Sequence, residues 1–290
     1  MKMEIEELRQ LIDEKDDELS GLFVERMELC KEIGKIKAER KMSVTAAERE
    51  NEIIVRAVKN KPEELAKFIA LFYRNIFSLS KAYQSEFYAE NAETAQIASS
   101  VIPPVFSASV AAVAGENAFR ISERAFPVAA VTEFKNAEGA LKAAERGFCD
   151  YAILPAGDEN GFSPDFLTHI INKNLSVVKV IEEENGENDS KKIRYAALSA
   201  KKKIFSGADR MAFVIEAKNS SGSLLLPVSR IAGAGLNVTE IKSLTATPFK
   251  TEVFIEFEGD VTASSSLGVL ADVKNSAESF KFLGAYRYTV

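Results

Sequence analysis

Histidine and cysteine are almost absent from this chain. His169 is the sole histidine among 290 residues, and Cys30 and Cys149 are the only cysteines. Metal sites built on histidine pairs are thereby excluded, and serine–histidine catalysis has only His169 to draw on. The two cysteines stand far apart in sequence and read as buried free thiols of a cytoplasmic protein. No apolar run approaches the 18 or so residues of a membrane span. The opening MKMEIEELRQ is acidic and polar, unlike a signal peptide. Basic charge is also short. The net charge is −6, which argues against nucleic acid as the main partner. Any chemistry must therefore use arginine, lysine, carboxylate or hydroxyl groups, with no metal and no organic cofactor.

What is present is ordinary globular material, 46% hydrophobic and 28% charged, in a length that favours two or three domains. Residues 4–40 carry Leu8, Leu11, Ile12, Leu19, Leu22, Leu29, Ile33 and Ile36 at helical spacing, which predicts one long helix. Gly21 and Gly34 each weaken it by up to about 1 kcal/mol relative to alanine. A break at 41–44 precedes a second helix over 46–59, which Ser43 or Thr45 could cap. Pro62 with Glu63 and Glu64 suits the first turn of a third, over 62–87. Three helices with one overlong member cannot make a large core alone, so they are expected to dimerise.

Residues 88–99 read as a linker. From 101 the pattern turns to β-α-β alternation. Short buried strands are expected at 128–131 and 151–154, a helix at 137–146, and a strand at 175–181. The charged stretch 182–192 reads as an exposed loop. From 211 onward the order is strand 212–215, helix 223–232, strands 236–243 and 252–257, helix 267–276 and strand 280–288. That is the ferredoxin-like βαββαβ arrangement. The fold class is thus multidomain α and α/β. An all-α three-helix segment at 1–90 forms an intertwined dimer, a single α/β lobe follows at 100–195, and a ferredoxin-like unit occupies 208–290.

Four cations and one carboxylate are strung along the first two helices: Arg9, Arg26, Lys37, Arg49 and Glu50. A lone arginine on a long helix is ordinarily solvated surface. A cation beside an apolar stripe, however, is costly to desolvate unless it meets an anion. Arg26 and Lys37 are three helical turns apart and share a face. Arg9 is rotated off that face and fits better as a contribution from a partner helix. Ser80 and Gln84 stand at i and i+4 on the third helix. Together these groups imply a small polyanionic ligand that also carries a hydroxyl.

These residues lie in LRQLIDEKDDELSGLFVERMELCKEIGKIKAER, AAERENEI and FYRNIFSLSKAYQ, which resemble the all-helical (AroQ-type) chorismate mutases over residues 5–87. The resemblance implies rearrangement of chorismate to prephenate in phenylalanine and tyrosine biosynthesis. By the family pattern, Arg26 and Arg9 (the latter from the partner subunit) bind the substrate carboxylates. Lys37 and Gln84 hydrogen-bond the breaking ether oxygen and Glu50 holds the ring hydroxyl. Arg49 supports the site and Ser80 contacts a carboxylate. The family's aspartate three residues before Arg49 is Ala46 here, which removes one polar contact.

The C-terminal run from Lys218 to Asp260 resembles an ACT domain, which implies an amino-acid effector, phenylalanine first, at Gly222, Ser223, Leu224 and Asn237. The family's Glu-Ser-Arg-Pro is Lys242-Ser243-Leu244-Thr245 here. The middle segment resembles a prephenate dehydratase lobe, with departures. Pro155-Ala156-Gly157-Asp158-Glu159 stands for Pro-Ile-Glu-Asn-Ser, and Ile193 occupies the functional threonine's place before Arg194 and Tyr195. Isoleucine cannot donate to a leaving hydroxyl, and one lobe cannot close a cleft. The expected protein is therefore a chorismate mutase, dimeric or a dimer of dimers, with an inactive dehydratase-like lobe. Asp158 and Glu159 are expected as solvated loop carboxylates and Arg194 as a surface ion pair. A working bifunctional mutase–dehydratase and a non-catalytic ACT-type ligand sensor are the alternatives.

Overall fold

The computed structural model describes residues 5–40, 42, 44, 46–85, 87, 97, 99–115, 117–184, 192–201, 203–219 and 223–289. Three helices open the chain: α1 (Ile5–Glu39), α2 (Ala47–Val58) and α3 (Glu63–Ser85). Glu6 and Glu7 in the first turn of α1 and Lys37 in its last complement the helix dipole. At 1.5 Å per residue α1 is about 52 Å long. It buries only Cys30 and Gly34. Its apolar stripe faces solvent instead, with Leu22 63% and Leu29 68% exposed. The expected break between α1 and α2 is present, but Ser43 and Thr45 lie outside the described residues. α2 starts after Ala46, which offers no side-chain cap.

The α/β portion holds more elements than its sequence announced. β1 (Val101–Ile102) and β2 (Ser107–Val113) lead into α4 (Ala118–Ala125) and β3 (Val128–Phe134). α5 (Ala137–Glu145), β4 (Tyr151–Asp158), β5 (Gly161–Phe162) and α6 (Pro164–Ile171) follow. Next come β6 (Ser176–Glu184), β7 (Lys192–Ser199) and β8 (Ile204–Phe205). The last third is β9 (Arg210–Lys218), α7 (Leu225–Gly233), β10 (Val238–Ala246), β11 (Lys250–Glu258), α8 (Ser264–Ser276) and β12 (Phe280–Thr289).

Two expectations are corrected. The supposed buried strand at 128–131 is half-open, because β3 is the edge of the sheet and pairs only with β2. The supposed loop at 182–192 gives way to strand at both ends. β6 and β7 pair antiparallel as far as Glu184↔Lys192, and only 185–191 fall outside the described residues. Opposite charges across the strands make the ladder tolerable: Glu182 lies 3.6 Å from Lys192 and 3.5 Å from Arg194.

One sheet runs through both α/β parts in the order β10-β11-β9-β12-β6-β7-β4-β2-β3. The stretch β10-β11-β9-β12 has the strand order of a ferredoxin-like βαββαβ unit. β12 joins the two parts. Residues 280–286 pair antiparallel with β9, and 287–289 pair parallel with β6. Gly284, with φ 144°, sits at the bulge within the β9 pairing, where a Cβ would collide with the Val177 carbonyl. Leu141, Phe162, Leu167 and Val180 of the lobe share one buried cluster with Phe254 and Tyr286 of the C-terminal unit.

Candidate functional site

Arg26 and Lys37 lie half-buried on α1 toward α3. Gly34 permits the close approach: a Cβ there would lie 3.1 Å from Gln84 Cα and 3.0 Å from the Phe87 ring. The penalty for a glycine in mid-helix thus secures the crossing of α1 and α3, whereas Gly21 meets nothing within 4 Å.

At this crossing Arg26 Nη1 donates to Ser80 Oγ, and the guanidinium stands 5.8 Å from the Phe77 ring centre. Lys37 Nζ donates to the Val44 carbonyl at 2.8 Å. Among the described residues no carboxylate is within ion-pair distance of Arg26 or Lys37. Burial lowers the pKa of Lys37, partly offset by the Glu50 carboxylate, Cys30 and Asp272. Gln84 is buried, and its Oε1 has no hydrogen-bond partner among the described residues. The amide's orientation is a choice of rotamer, so either end can be offered to a ligand.

The carboxylate behaves differently from expectation. Glu50 is held by Lys81, whose Nζ lies 2.9 and 3.0 Å from its two oxygens. Lys81 is 5% exposed and was not singled out by sequence reasoning. The signal was available: Lys81 stands three residues before Gln84 and shares its face. Arg49, expected to support the site, is instead exposed and pairs with Glu52 at 3.0 Å. Arg9 is exposed, pairs with Glu6 at 2.7 Å, and lies roughly 26 Å along α1 from Arg26. Arg26, Lys37, Glu50, Ser80 and Gln84 thus come together within one chain, and Arg9 and Arg49 do not.

The lobe's candidates take up structural positions. Arg194 is buried, not a surface ion pair. Its Nη1 lies 3.2 Å from Glu240 Oε2 and its Nη2 donates to the Tyr288 hydroxyl at 2.9 Å. The arginine is drawn inward because β10 of the C-terminal unit packs Glu240 against the β4–β5 turn, where it also accepts from the Phe162 amide at 3.0 Å. Asp158 accepts from the Asn160 amide at 2.8 Å and shapes that turn. His169 is exposed on α6 and contacts the Asp165 carbonyl at 2.8 Å. Both thiols are free and buried.

In the C-terminal unit, Gly222 lies outside the described residues. Ser223 and Leu224 immediately precede α7, and Leu224 packs against the unit's core. Asn237 donates to Glu258 Oε2 at 3.1 Å. A cavity of about 380 Å³ lies elsewhere, between the lobe and α8, walled by Leu175, Ile204, Leu270 and Phe282. Among the described residues, no group of carboxylates, histidines and cysteines could hold a metal ion, and no helix is long and apolar enough to cross a membrane.

At this helical crossing two half-buried cations have no carboxylate partner among the described residues. Residues 8–85 match the family model of chorismate mutase type II. No curated protein sequence matches the chain. Among solved structures, the prephenate dehydratase of Streptococcus mutans is similar at 19% identity and a TM-score of 0.53, covering 63% of this chain and 99% of that one. That share exceeds the helical segment, so most of it falls on the α/β portion. A protein described as a novel type of quorum-quenching acylase, GqqA, is similar at 17% identity and a TM-score of 0.54, covering 61% and 94%. The prephenate dehydratase of Arthrobacter aurescens in complex with L-Phe gives 14% and 0.52, covering 61% and 89%. The chain thus joins a segment that matches the chorismate mutase type II model to an α/β body with the fold seen in prephenate dehydratases. That fold carries an acylase as well as dehydratases, so at this identity it does not define an activity.

Proposed function

We propose that the chain is a chorismate mutase that converts chorismate to prephenate in a site completed by a second copy. One observation carries the reading: Arg26 and Lys37 are half-buried at a helix crossing with only neutral partners among the described residues. A dianionic substrate supplies the missing negative charge. In this reading Arg26, with Ser80 beside it, takes one carboxylate and Arg9 of the partner subunit the other. The exposed stripe of α1 is the surface the second copy covers. Glu50, now on Lys81, takes the ring hydroxyl.

The rearrangement is pericyclic and needs no nucleophile, proton transfer or cofactor. The site has to hold the compact conformer and stabilise negative charge on the ether oxygen as its bond stretches. Lys37 and Gln84 are the donors for that oxygen, each already drawn from solvent. Purified protein should consume chorismate and form prephenate; no consumption would leave the ligand-sensor alternative.

The α/β lobe is proposed to lack dehydratase activity. Ile193 offers no donor, and Arg194 is committed to Glu182, Glu240 and Tyr288. Formation of phenylpyruvate from prephenate at a rate comparable to the mutase would restore the bifunctional alternative. The C-terminal unit is read as an ACT domain, supported by its strand order. Phenylalanine is the effector to test at Ser223, Leu224 and Asn237, supported by the L-Phe complex of the Arthrobacter aurescens protein.

A further inference from the structure

The helical segment does not stand clear of the α/β body: α3 packs against both α7 and α8. Ser78 Oγ donates to Ser229 Oγ at 2.7 Å. One turn further along both helices, Gly233 faces Ala82 and Leu79, where a Cβ would lie 3.4 and 3.5 Å from their side chains. Between Ser229 and Gly233 on α7 sits Arg230, with no solvent exposure. Its Nε lies 2.8 Å from Asp272 Oδ2 and its Nη1 donates to the Asp272 carbonyl at 2.9 Å. Between Ser78 and Ala82 on α3 sits Lys81, which holds Glu50. The face of α3 that meets α7 therefore carries the cation that fixes the site carboxylate.

Resting on the mutase reading, we propose that Arg230 and Asp272 are positioning residues of the mutase site. Their buried pair fixes the α7–α8 surface on which α3 lies, and so sets Lys81, Glu50 and the charge around Lys37. The C-terminal unit is then one wall of the mutase site. It is also a route for regulation, because α7 begins directly after Ser223 and Leu224, and Arg230 lies under two turns further on. The electrostatics run both ways between the units. Asp272 supports the protonated form of Lys37, and Glu50 supports the charged form of Arg230.

Lys37 is faced by Cys30 from its own helix, Glu50 from α2, Lys81 from α3 and Asp272 from α8. Removing the Asp272 charge lowers the pKa of Lys37 further, so the proton leaves at lower pH. The test is mutase kcat and KM against pH for the full chain carrying Asp272→Asn, Arg230→Ala or Arg230→Lys, with thermal unfolding alongside. Asp272→Asn should move the alkaline limb of kcat/KM to lower pH and cost about tenfold at neutral pH. Arg230→Lys should recover much of what Arg230→Ala loses. Should Asp272→Asn not fold, Gly233→Leu displaces α3 without altering any charge and should lower kcat several-fold. Folded variants with wild-type kcat/KM and pH profile would overturn the proposal while the mutase reading stands. A wild-type chain that leaves chorismate untouched would instead remove the mutase reading itself.

Discussion

Arg194 and Arg26 are both drawn out of solvent, yet only one of them meets carboxylates. In the α/β body the two buried arginines are compensated by carboxylates, Arg194 by Glu182 and Glu240 and Arg230 by Asp272, while the half-buried Lys179 donates to a backbone carbonyl. In the helical segment Arg26 rests on a serine hydroxyl and Lys37 on a backbone carbonyl. Apolar groups divide the same way. The body encloses Phe162, Phe213 and Phe254 completely, whereas α1 presents Leu19, Leu22, Leu29 and Ile33 to solvent. A region that satisfies its own charges and covers its own core is built for stability. One that leaves both open is arranged to receive something, in the proposed reading a dianion and a second chain.

The sharpest break in that contrast is to remove one cation from each side. Arg26→Ala should lower kcat/KM for chorismate by 100-fold or more, about 3 kcal/mol of transition-state stabilisation, with little change in melting temperature. Arg194→Leu should do the reverse. It leaves Glu182 and Glu240 facing each other, costs about 3 kcal/mol of stability by denaturant unfolding, and spares mutase kcat in the folded protein. The exposed stripe comes next. Ile33→Glu should reduce self-association in sedimentation and lower mutase activity with it, since in the proposed reading the partner supplies Arg9. A smaller effect is the pH profile. Burial holds Lys37 below the usual lysine range, and the mutase needs its protonated form, so activity should fall as pH rises through that lowered pKa. The alkaline limb should vanish from the residual activity of Lys37→Gln. The smallest is Ala46→Asp. It restores an N-cap to α2 and should raise stability by about 1 kcal/mol, read as a higher melting temperature.

The sequence made the helices legible because α1, α2 and α3 are long and strongly periodic, and their ends fell within a few residues of expectation. The βαββαβ order was legible for the same reason, from alternating strands such as Glu252–Phe257. β2 was missed because Ser107–Val113 is rich in alanine and serine, which carry little strand signal. β7 and the end of β6 were hidden by their charges, which only pairing between the two strands explains. At the candidate site, helical spacing put Arg26 with Lys37 and Ser80 with Gln84, and the structure brings these pairs to one crossing. Lys81 was legible only as a neighbour of Gln84, and Arg230 and Asp272 were not legible at all. Lys81 needed its meeting with Glu50, and the other two needed the docking of α3 on the C-terminal unit, a contact between residues about 150 positions apart in sequence.

The most direct test is chorismate consumption by the purified full-length chain beside its Lys37→Ala variant, both shown folded by circular dichroism. Steady conversion to prephenate by the first and a loss of at least two orders of magnitude in the second are the predicted results. Equal rates in the two proteins, or none in either, would contradict the account.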